Sequence, residues 1–330
     1  MLTDRLPRIR LAHLPTPLHE LPRLSRALGG PRLFVKRDDL TGLAIGGNKT
    51  RKLEFSVAEA LRREADTLVT LGAVQSNHAR QTAAAAAACG LRCVIVLRGH
   101  PPPIATGNLL LDHLLGARVV FSGERPREQV AEEVVAAETG EGHRPYLIPV
   151  GASDEVGAAG FVAALEELQG QLDELRLRVD RVVFASSSFG TQAGLCVGAK
   201  ARGFRAQLAG IAIEEKRQEV QTAVADIASR LAARIGVESS VAPKEVVAYD
   251  GYLGGGYAVL GDPEREAIQL AARCEGILLD PVYTGRAMAG LIDLVRRREF
   301  GASETILFWH TGGTPALFAY AKELLDLAGT

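Results

Sequence analysis

Short β-branched runs separated by stretches of helix formers constrain this chain more than any other feature. The runs are TLVTLGAV (67–74), CVIVLRG (93–99), RVVFSG (118–123), RVVFASSS (181–188), QLAGIAI (207–213) and TILFWHTGG (305–313), and most read as strands buried on both faces. Between them, NHARQTAAAAAACG, REQVAEEVVAAETG and DPEREAIQLAARCEG have helical spacing, the last two closing on glycine. Strand alternating with helix implies α/β architecture with parallel sheets covered on both faces. At 330 residues the chain is too long for one ordinary core and suggests two domains of roughly 150 residues each. The Pro-, Gly- and Ser-containing stretch LIPVGASDEVGAAGF (147–161) reads as a crossing between two sheet systems, with the other crossing near Lys49. The expectation is two open twisted parallel-sheet domains, a small α/β unit of residues 52–160 inserted into a larger one formed by residues 1–51 and 161–330. The site is then expected in the cleft between them. The segment LFVKRDDL reads as too charged for a buried central strand.

Composition removes several function classes. A hydrophobic fraction of 47%, a charged fraction of 23% and a net charge of −1 describe a soluble globular protein without electrostatic bias, which disfavours nucleic acid as a partner. The N-terminal MLTDRLPRIRLAHLPTPL has no long apolar region, and no segment approaches the roughly 20 apolar residues that span a bilayer. A cytoplasmic protein without a membrane partner is expected. Cys89, Cys93, Cys196 and Cys274 show neither the CxxC redox spacing nor a paired zinc pattern, so they read as reduced, buried small hydrophobes. The seven histidines form no H-x3-H or HExxH cluster, and no metal site is expected.

The stretch AIGGNKTRKLEF (44–55) places Lys49, Arg51 and Lys52 where a glycine turn runs into a helix. Each cation at a helix N-terminus is unfavourable by about 0.3–1 kcal/mol, so something negative is expected nearby. GLAIGGNKT nearly matches a Walker A loop, but Asn48 displaces the lysine from the phosphate cradle and no apolar run ending in Asp offers a Walker B. GAVQSNHARQ (72–81) gathers Gln75, Ser76, Asn77 and His78 at a strand end; capping explains one of them, and the others suit a polar ligand. ASSSFGTQAGL (185–195) has the composition of an anion cradle, with Ser188, Gly190, Thr191 and Gly194, and reads also as a plain Ser-rich turn. The absence of G-x-G-x-x-G disfavours a dinucleotide. LLDPVYTGRAM (278–288) sets Tyr283 and Thr284 in a turn, and FWHTGGTPAL (308–317) sets Thr311 before two glycines; each alone is ordinary turn chemistry. GYLGGGYAVL (251–260), with Tyr252 and Tyr257, reads equally as a mobile loop or a lid over substrate.

Together, LAHLPTPL, KRDDLTGLAIGGNKTRKLEF, QSNHARQTAAAAA, GTQAGL, LLDPVYTGRAMAGLI and HTGGTPALF resemble the pyridoxal-phosphate enzymes of the tryptophan synthase β type (fold type II). Within them, the resemblance is to the branch of D-cysteine desulfhydrases and 1-aminocyclopropane-1-carboxylate (ACC) deaminases, and it covers nearly the whole chain. It implies that Lys49 holds pyridoxal 5'-phosphate as a Schiff base, with Lys52 facing the phosphate and Arg51 structural. Asn77 would bond the ring 3-hydroxyl, Ser188, Phe189, Gly190 and Thr191 would hold the phosphate, and Thr311 would face the ring nitrogen. Ser76 and Asn77, with His78, Tyr283 and Thr284, would contact a small amino-acid substrate. Lys49 would take the Cα proton, and Tyr283, with Tyr257 nearby, would assist proton transfer or the departing β-group. ACC deaminases read Tyr-Glu and His-Leu-Gly-Gly where this chain reads Tyr283-Thr284 and His310-Thr311-Gly312-Gly313. Both departures point to β-elimination from D-cysteine, and both are compatible with L-cysteate sulfo-lyases. ACC deamination is a further alternative, and intact Lys49 opposes a non-catalytic cofactor-binding protein. The resemblance also implies a homodimer.

Overall fold

The six β-branched runs all become strands, and four further strands join them in the computed structural model, which describes residues 1–238 and 240–325. In chain order, β1 (Leu18–Glu20), α1 (Pro22–Leu28) and β2 (Arg32–Arg37) lead to α2 (Lys49–Arg62). Then β3 (Thr67–Gly72), α3 (Asn77–Ala88), β4 (Arg92–Leu97), α4 (Gly107–Leu114), β5 (Arg118–Phe121), α5 (Arg127–Gly140) and β6 (Pro145–Ile148) alternate. They are followed by α6 (Ala159–Glu174), β7 (Arg181–Ser186), α7 (Gly190–Arg202), β8 (Gln207–Ala212), α8 (Arg217–Ile235) and β9 (Val247–Tyr249). The described chain ends with α9 (Asp262–Glu275), α10 (Thr284–Arg296), β10 (Thr305–His310) and α11 (Ala321–Leu325).

Two sheets result, ordered β1-β2-β10-β7-β8-β9 and β5-β4-β3-β6. Every neighbouring pair is parallel except β1 with β2, so an antiparallel edge strand is added to the expected parallel architecture. All six residues of β3 are buried, as a parallel strand covered on both faces requires. One face of the larger sheet packs against α1, α9 and α10 through residues such as Leu24, Ile268 and Leu291. The other packs against α6, α7 and α8. In the smaller sheet, α2, α3 and α4 cover one face and α5 the other. Helix α2 touches both α3 and α6 and so lies between the two sheet systems. No described helix is long and apolar enough to cross a membrane.

The strands that composition does not announce have two explanations. β1, β6 and β9 are sheet-edge strands of three or four residues, too short to carry a hydrophobic run. β2 corrects the reading of LFVKRDDL: it lies inside the larger sheet between β1 and β10, and Leu33 to Lys36 are buried. The charges of this segment are accommodated by partners from distant parts of the chain. Lys36 donates to the Thr16 carbonyl at 2.8 Å and to Glu167, and is completely buried. Helix ends follow their glycines less strictly than expected. Gly276 caps α9 in the left-handed conformation, whereas Gly140 is the last residue of α5 and Glu141 is its cap.

Arg51 anchors the same cluster. Its guanidinium donates to both oxygens of Asp38 and both of Glu167, each at 2.9 Å, and to Thr16 Oγ1 at 3.0 Å. This joins the end of β2 to α2 and α6. Burial opposes ionisation of the Glu167 carboxyl, but the Arg51 and Lys36 cations outweigh it and hold that group down to about 2. Removing one partner of a buried pair leaves a stranded charge, so Asp38→Ala should lower the unfolding free energy by about 3–5 kcal/mol in urea titrations. A loss within about 0.5 kcal/mol, the range of ordinary surface substitutions, would show the cluster to be dispensable. The Glu167 contribution should be full above its unfolded value of about 4.3 and disappear as pH falls toward 2.

Candidate active site

The loops after β2, β3, β6, β7 and β10 all leave the carboxyl ends of parallel strands and meet in a cleft between the two sheets. Lys49, Ser76, Asn77, Ser188, Thr191 and Thr311 are among its walls. One glycine pair brings distant loops together. A Cβ on Gly312 would lie 2.7 Å from Gly47 Cα, so the two backbones cross in contact, and the Asn48 N–H donates to the Thr311 carbonyl at 2.9 Å. The first residues of α2, α3 and α7 thereby face one space, and helix N-termini carry partial positive charge.

The three cations of the glycine turn separate into two roles. Arg51 belongs to the ion cluster described above, as a structural residue. Lys49 lines the cleft and Lys52 is buried beside it, and among the described residues neither forms an ion pair. Lys49 Nζ lies 3.3 Å from Ser188 Oγ, and burial pulls its amine down to about 8. Lys52 Nζ donates to the Gly151 carbonyl at 3.1 Å and to Ser153 Oγ at 2.9 Å; burial, then the neighbouring Lys49 charge, pull it well below its ordinary value. A Cβ on Gly190 would lie 3.0 Å from Lys52 Nζ, so this lysine sits against the first turn of α7.

That first turn is built as a cradle. Phe189 precedes it at φ 67°, a left-handed conformation uncommon for a non-glycine residue. Thr191 Oγ1 accepts from Asn48 Nδ2 at 3.1 Å, which leaves its own proton to donate. Ser153 Oγ donates to Ser188 Oγ at 2.8 Å, and a Cβ on Gly151 would strike both Ser188 Oγ and Lys49 Nζ. Sequence patterns give no ligand-binding signal for Asn48, Gly151 or Ser153. Asn48 shows only as an insertion in a phosphate-loop pattern, and the other two lie in a stretch that reads as a domain crossing.

At the start of α3, Ser76 is the N-cap and accepts from the Ala79 N–H at 3.1 Å, again leaving its hydroxyl proton free. Asn108 Nδ2 donates to the Gln75 carbonyl and to Asn77 Oδ1, each at 2.9 Å. With Oδ1 thus engaged, Asn77 has its NH2 group to offer the cleft. Asn108, on α4, has no sequence signal of its own. His78 lines the cleft, and its Nε2 lies 2.7 Å from Thr70 Oγ1, while Nδ1 is buried without a hydrogen-bond partner among the described residues. Burial, then Lys49 and Lys52, pull this imidazole well below its ordinary value and keep it neutral.

Tyr283 forms part of the cleft wall, and its hydroxyl is 2.6 Å from that of Tyr257, which lines the adjoining outer chamber. Burial raises the Tyr283 phenol well above its ordinary value. Thr284, expected beside the substrate, does not line the cleft. It is fully buried, and its hydroxyl donates to Asp280 Oδ1 at 2.7 Å. Asp280 also accepts from the N–H groups of Val282, Tyr283 and Thr284, so it caps α10 and fixes Tyr283. Thr311 borders the cleft, and the preceding His310 turns away from it to the Leu278 carbonyl. Tyr252 also points elsewhere, donating to Asp293 at 2.8 Å.

The walls fit an anionic, phosphate-bearing cofactor. Lys49, hydroxyls and three helix N-termini surround a space whose described lining contains no carboxylate, and the buried Lys52 lies behind it against α7. Comparison with known proteins agrees with this chemistry. A family model described as "Pyridoxal-phosphate dependent enzyme" matches residues 9–312. A solved structure titled as an ACC deaminase homologue is 38% identical over 99% of this chain and 98% of its own, with a TM-score of 0.91. At the level of fold alone, a threonine deaminase from T.th. matches with 21% identity over 90% of this chain and 92% of its own (TM-score 0.66). A pyridoxal 5'-phosphate-dependent aspartate racemase matches similarly, with 19% identity over 90% of each chain (TM-score 0.65). The chain therefore belongs to the pyridoxal-phosphate dependent enzymes, in their fold type II, ACC-deaminase-like branch, and its cofactor is pyridoxal phosphate.

Proposed function

We propose that this protein is a carbon–sulfur lyase that converts D-cysteine and water to pyruvate, ammonia and hydrogen sulfide by β-elimination. The observation that carries this reading is a cleft wall with Thr311 at its edge and no carboxylate among its described lining residues. Pyridoxal phosphate, when bound, supplies an electron sink for the bond broken at Cα. A neutral hydroxyl rather than a carboxylate at the ring nitrogen makes a weaker sink, which suits prompt loss of a β-group over a long-lived carbanion.

The remaining roles fall to side chains. Lys49 would hold the cofactor, and its free amine would take the Cα proton; its depressed basicity keeps a useful fraction of the amine neutral near pH 8. Ser188, Phe189, Gly190 and Thr191 would hold the phosphate, with Lys52 behind them, and Asn77 would donate to the ring oxygen. The Ser76 hydroxyl and the first N–H groups of α3 receive the substrate carboxylate, beside His78. The Tyr283–Tyr257 hydroxyl pair gives a proton to the departing thiolate. The resulting enamine takes up water to yield pyruvate and ammonia. Thr284 acts only through the Asp280 turn. We take residues 52–160 as the inserted unit, residues 1–51 with 161–330 as the cofactor-holding unit, and a cytoplasmic homodimer as the working form. A second reading, sulfite release from L-cysteate, draws on Arg98 and Arg127 in the outer chamber, which outnumber Glu214 among its charged lining residues.

Pyruvate release from D-cysteine, L-cysteine, L-cysteate and 2-oxobutyrate release from ACC, assayed side by side, should be fastest with D-cysteine. A faster reaction with L-cysteate or ACC would replace the first reading. Tyr283→Phe should lower kcat on D-cysteine by about 10²–10⁴, the usual contribution of a positioned acid or base.

Borohydride should fix the cofactor covalently to the peptide containing Lys49. Lys49→Ala should retain the cofactor through its phosphate but lose turnover. Cofactor capture by the apo-protein needs the neutral amine, so its rate should rise as pH increases through about 8 and level off above; a flat profile from about pH 6 to 10 contradicts the assignment.

Thr191→Val removes a hydroxyl that donates to a charged acceptor and should weaken cofactor binding by about 1.5–3 kcal/mol, measured by equilibrium titration of apo-protein. Unchanged affinity would place the phosphate elsewhere.

A further inference from the structure

The turn that delivers Lys49 has a distinctive backbone. Ala44, Ile45, Gly46 and Gly47 are all at positive φ, with values of 42°, 68°, 65° and 131°. Glycine is needed at 46, where a Cβ would lie 2.1 Å from the Asp39 carbonyl oxygen. For alanine the conformation is uncommon, and for a β-branched residue it is an outlier. Ile45 is 53% exposed, so burial of its side chain does not hold it there.

The turn is held from behind by Arg80 on α3. Its guanidinium donates from Nη1 to the carbonyls of Ala44 and Gly46, the latter at 3.1 Å, and from Nη2 to Gly46 at 3.0 Å. Arg80 is completely buried, and the charge that opposes its desolvation is Asp112 on α4. Asp112 is equally buried, and neither of its carboxylate oxygens has a hydrogen-bond partner among the described residues. Burial pushes the Asp112 carboxyl up to about 8, with Arg80 pulling the other way. A buried guanidinium is costly unless it is satisfied. Here the carbonyls of a strained turn accept from Nη1 and Nη2, while Nε has no hydrogen-bond partner among the described residues. On its far side, the turn is pinned by the Gly47 N–H, which donates to Thr41 Oγ1 at 2.8 Å and to the Asp38 carbonyl at 3.0 Å. The next two residues, Asn48 and Lys49, enter the cleft.

We propose that Arg80 is a positioning residue for Lys49: it holds residues 44–47 in the left-handed path that aims Asn48 and Lys49 at the α7 cradle. The proposal rests on the reading of Lys49 as the cofactor-holding amine. Without the guanidinium, Ala44 and Ile45 relax toward negative φ, and the start of α2 loses its fixed relation to Ser188 and Thr191.

The test compares wild type, Arg80→Met, Arg80→Lys and Arg80→Met/Ile45→Gly. In cofactor-free protein, hydrogen exchange at the amides of Gly47 and Asn48 reports local opening of the turn. Arg80→Met should speed that exchange by about 10-fold or more while the amides of β7 keep their protection. Ile45→Gly, which removes the steric cost of positive φ, should recover part of the lost protection. In the loaded enzyme, kcat on D-cysteine should fall by about 100-fold, the effect of misplacing a reactive group by about 1 Å, with KM changed only a few-fold. Should Arg80→Met fail to fold, Arg80→Lys, which keeps the charge but lacks the planar fork, must show the same pattern in smaller degree. Wild-type exchange at residues 47 and 48, or loss of protection equally across β7, overturns the proposal. Borohydride trapping on a residue other than Lys49 overturns instead the reading of the site, and the exchange data still judge the turn.

Discussion

The Arg51 cluster is the constraint on which the cleft depends. Arg51 sits two residues after Lys49 and is fully buried, so it imposes on α2 a single rotation and a single depth. Asp38 ties that helix to the end of β2, and Glu167 ties it to α6, a helix packed on α7. Because α7 begins with the cradle, the ion cluster fixes the distance between Lys49 and the cradle through two rigid elements. Lys36 adds a second cation to Glu167, which explains how a sheet strand tolerates a buried lysine. Such clusters contribute less to net stability than their geometry suggests, because desolvation offsets attraction. Here their effect is to specify one arrangement.

Positive potential in the cleft has a topological origin. Parallel strands all point their carboxyl ends the same way, so the helices that follow them begin at the same edge. α2, α3 and α7 therefore present their N-termini together, and Lys49 and Lys52 add two amines to that field. Burial depresses the basicity of both amines and keeps His78 neutral, with the Lys49 charge adding to it at Lys52 and both lysine charges adding to it at His78. An anionic cofactor relieves the repulsion. The cost of placing cations at a helix start is thus offset by the ligand, and a nucleophilic amine results from the same arrangement.

Backbone contacts refine what electrostatics sets up. The crossing of Gly47 with Gly312 joins the turn before Lys49 to the loop that carries Thr311, and no side chain larger than hydrogen fits between them. Asp280 performs a similar service for Tyr283 by gathering three successive N–H groups. These are short-range geometric constraints, and each places a functional side chain by fixing the chain on which it stands.

The sequence by itself determined the α/β class, the strands whose β-branched runs are long enough to register, and the motifs that surround the cleft. These features are local: hydrophobic periodicity, glycine turns and polar residues at strand ends are written within short stretches of chain. It left β2 unread, because Lys36 and Asp38 look unsuited to an interior until Glu167 and Arg51, far along the chain, are brought to them. It put Thr284 beside the substrate because it adjoins Tyr283, whereas the first turn of α10 rotates the two side chains apart, one to the cleft and one to Asp280. Asn48, Ser153, Asn108 and Arg80 gained their positions only from tertiary structure, since each acts on a partner that sequence distance hides. Pairing between distant segments is decided by packing and desolvation of the whole fold, and a local pattern does not encode it.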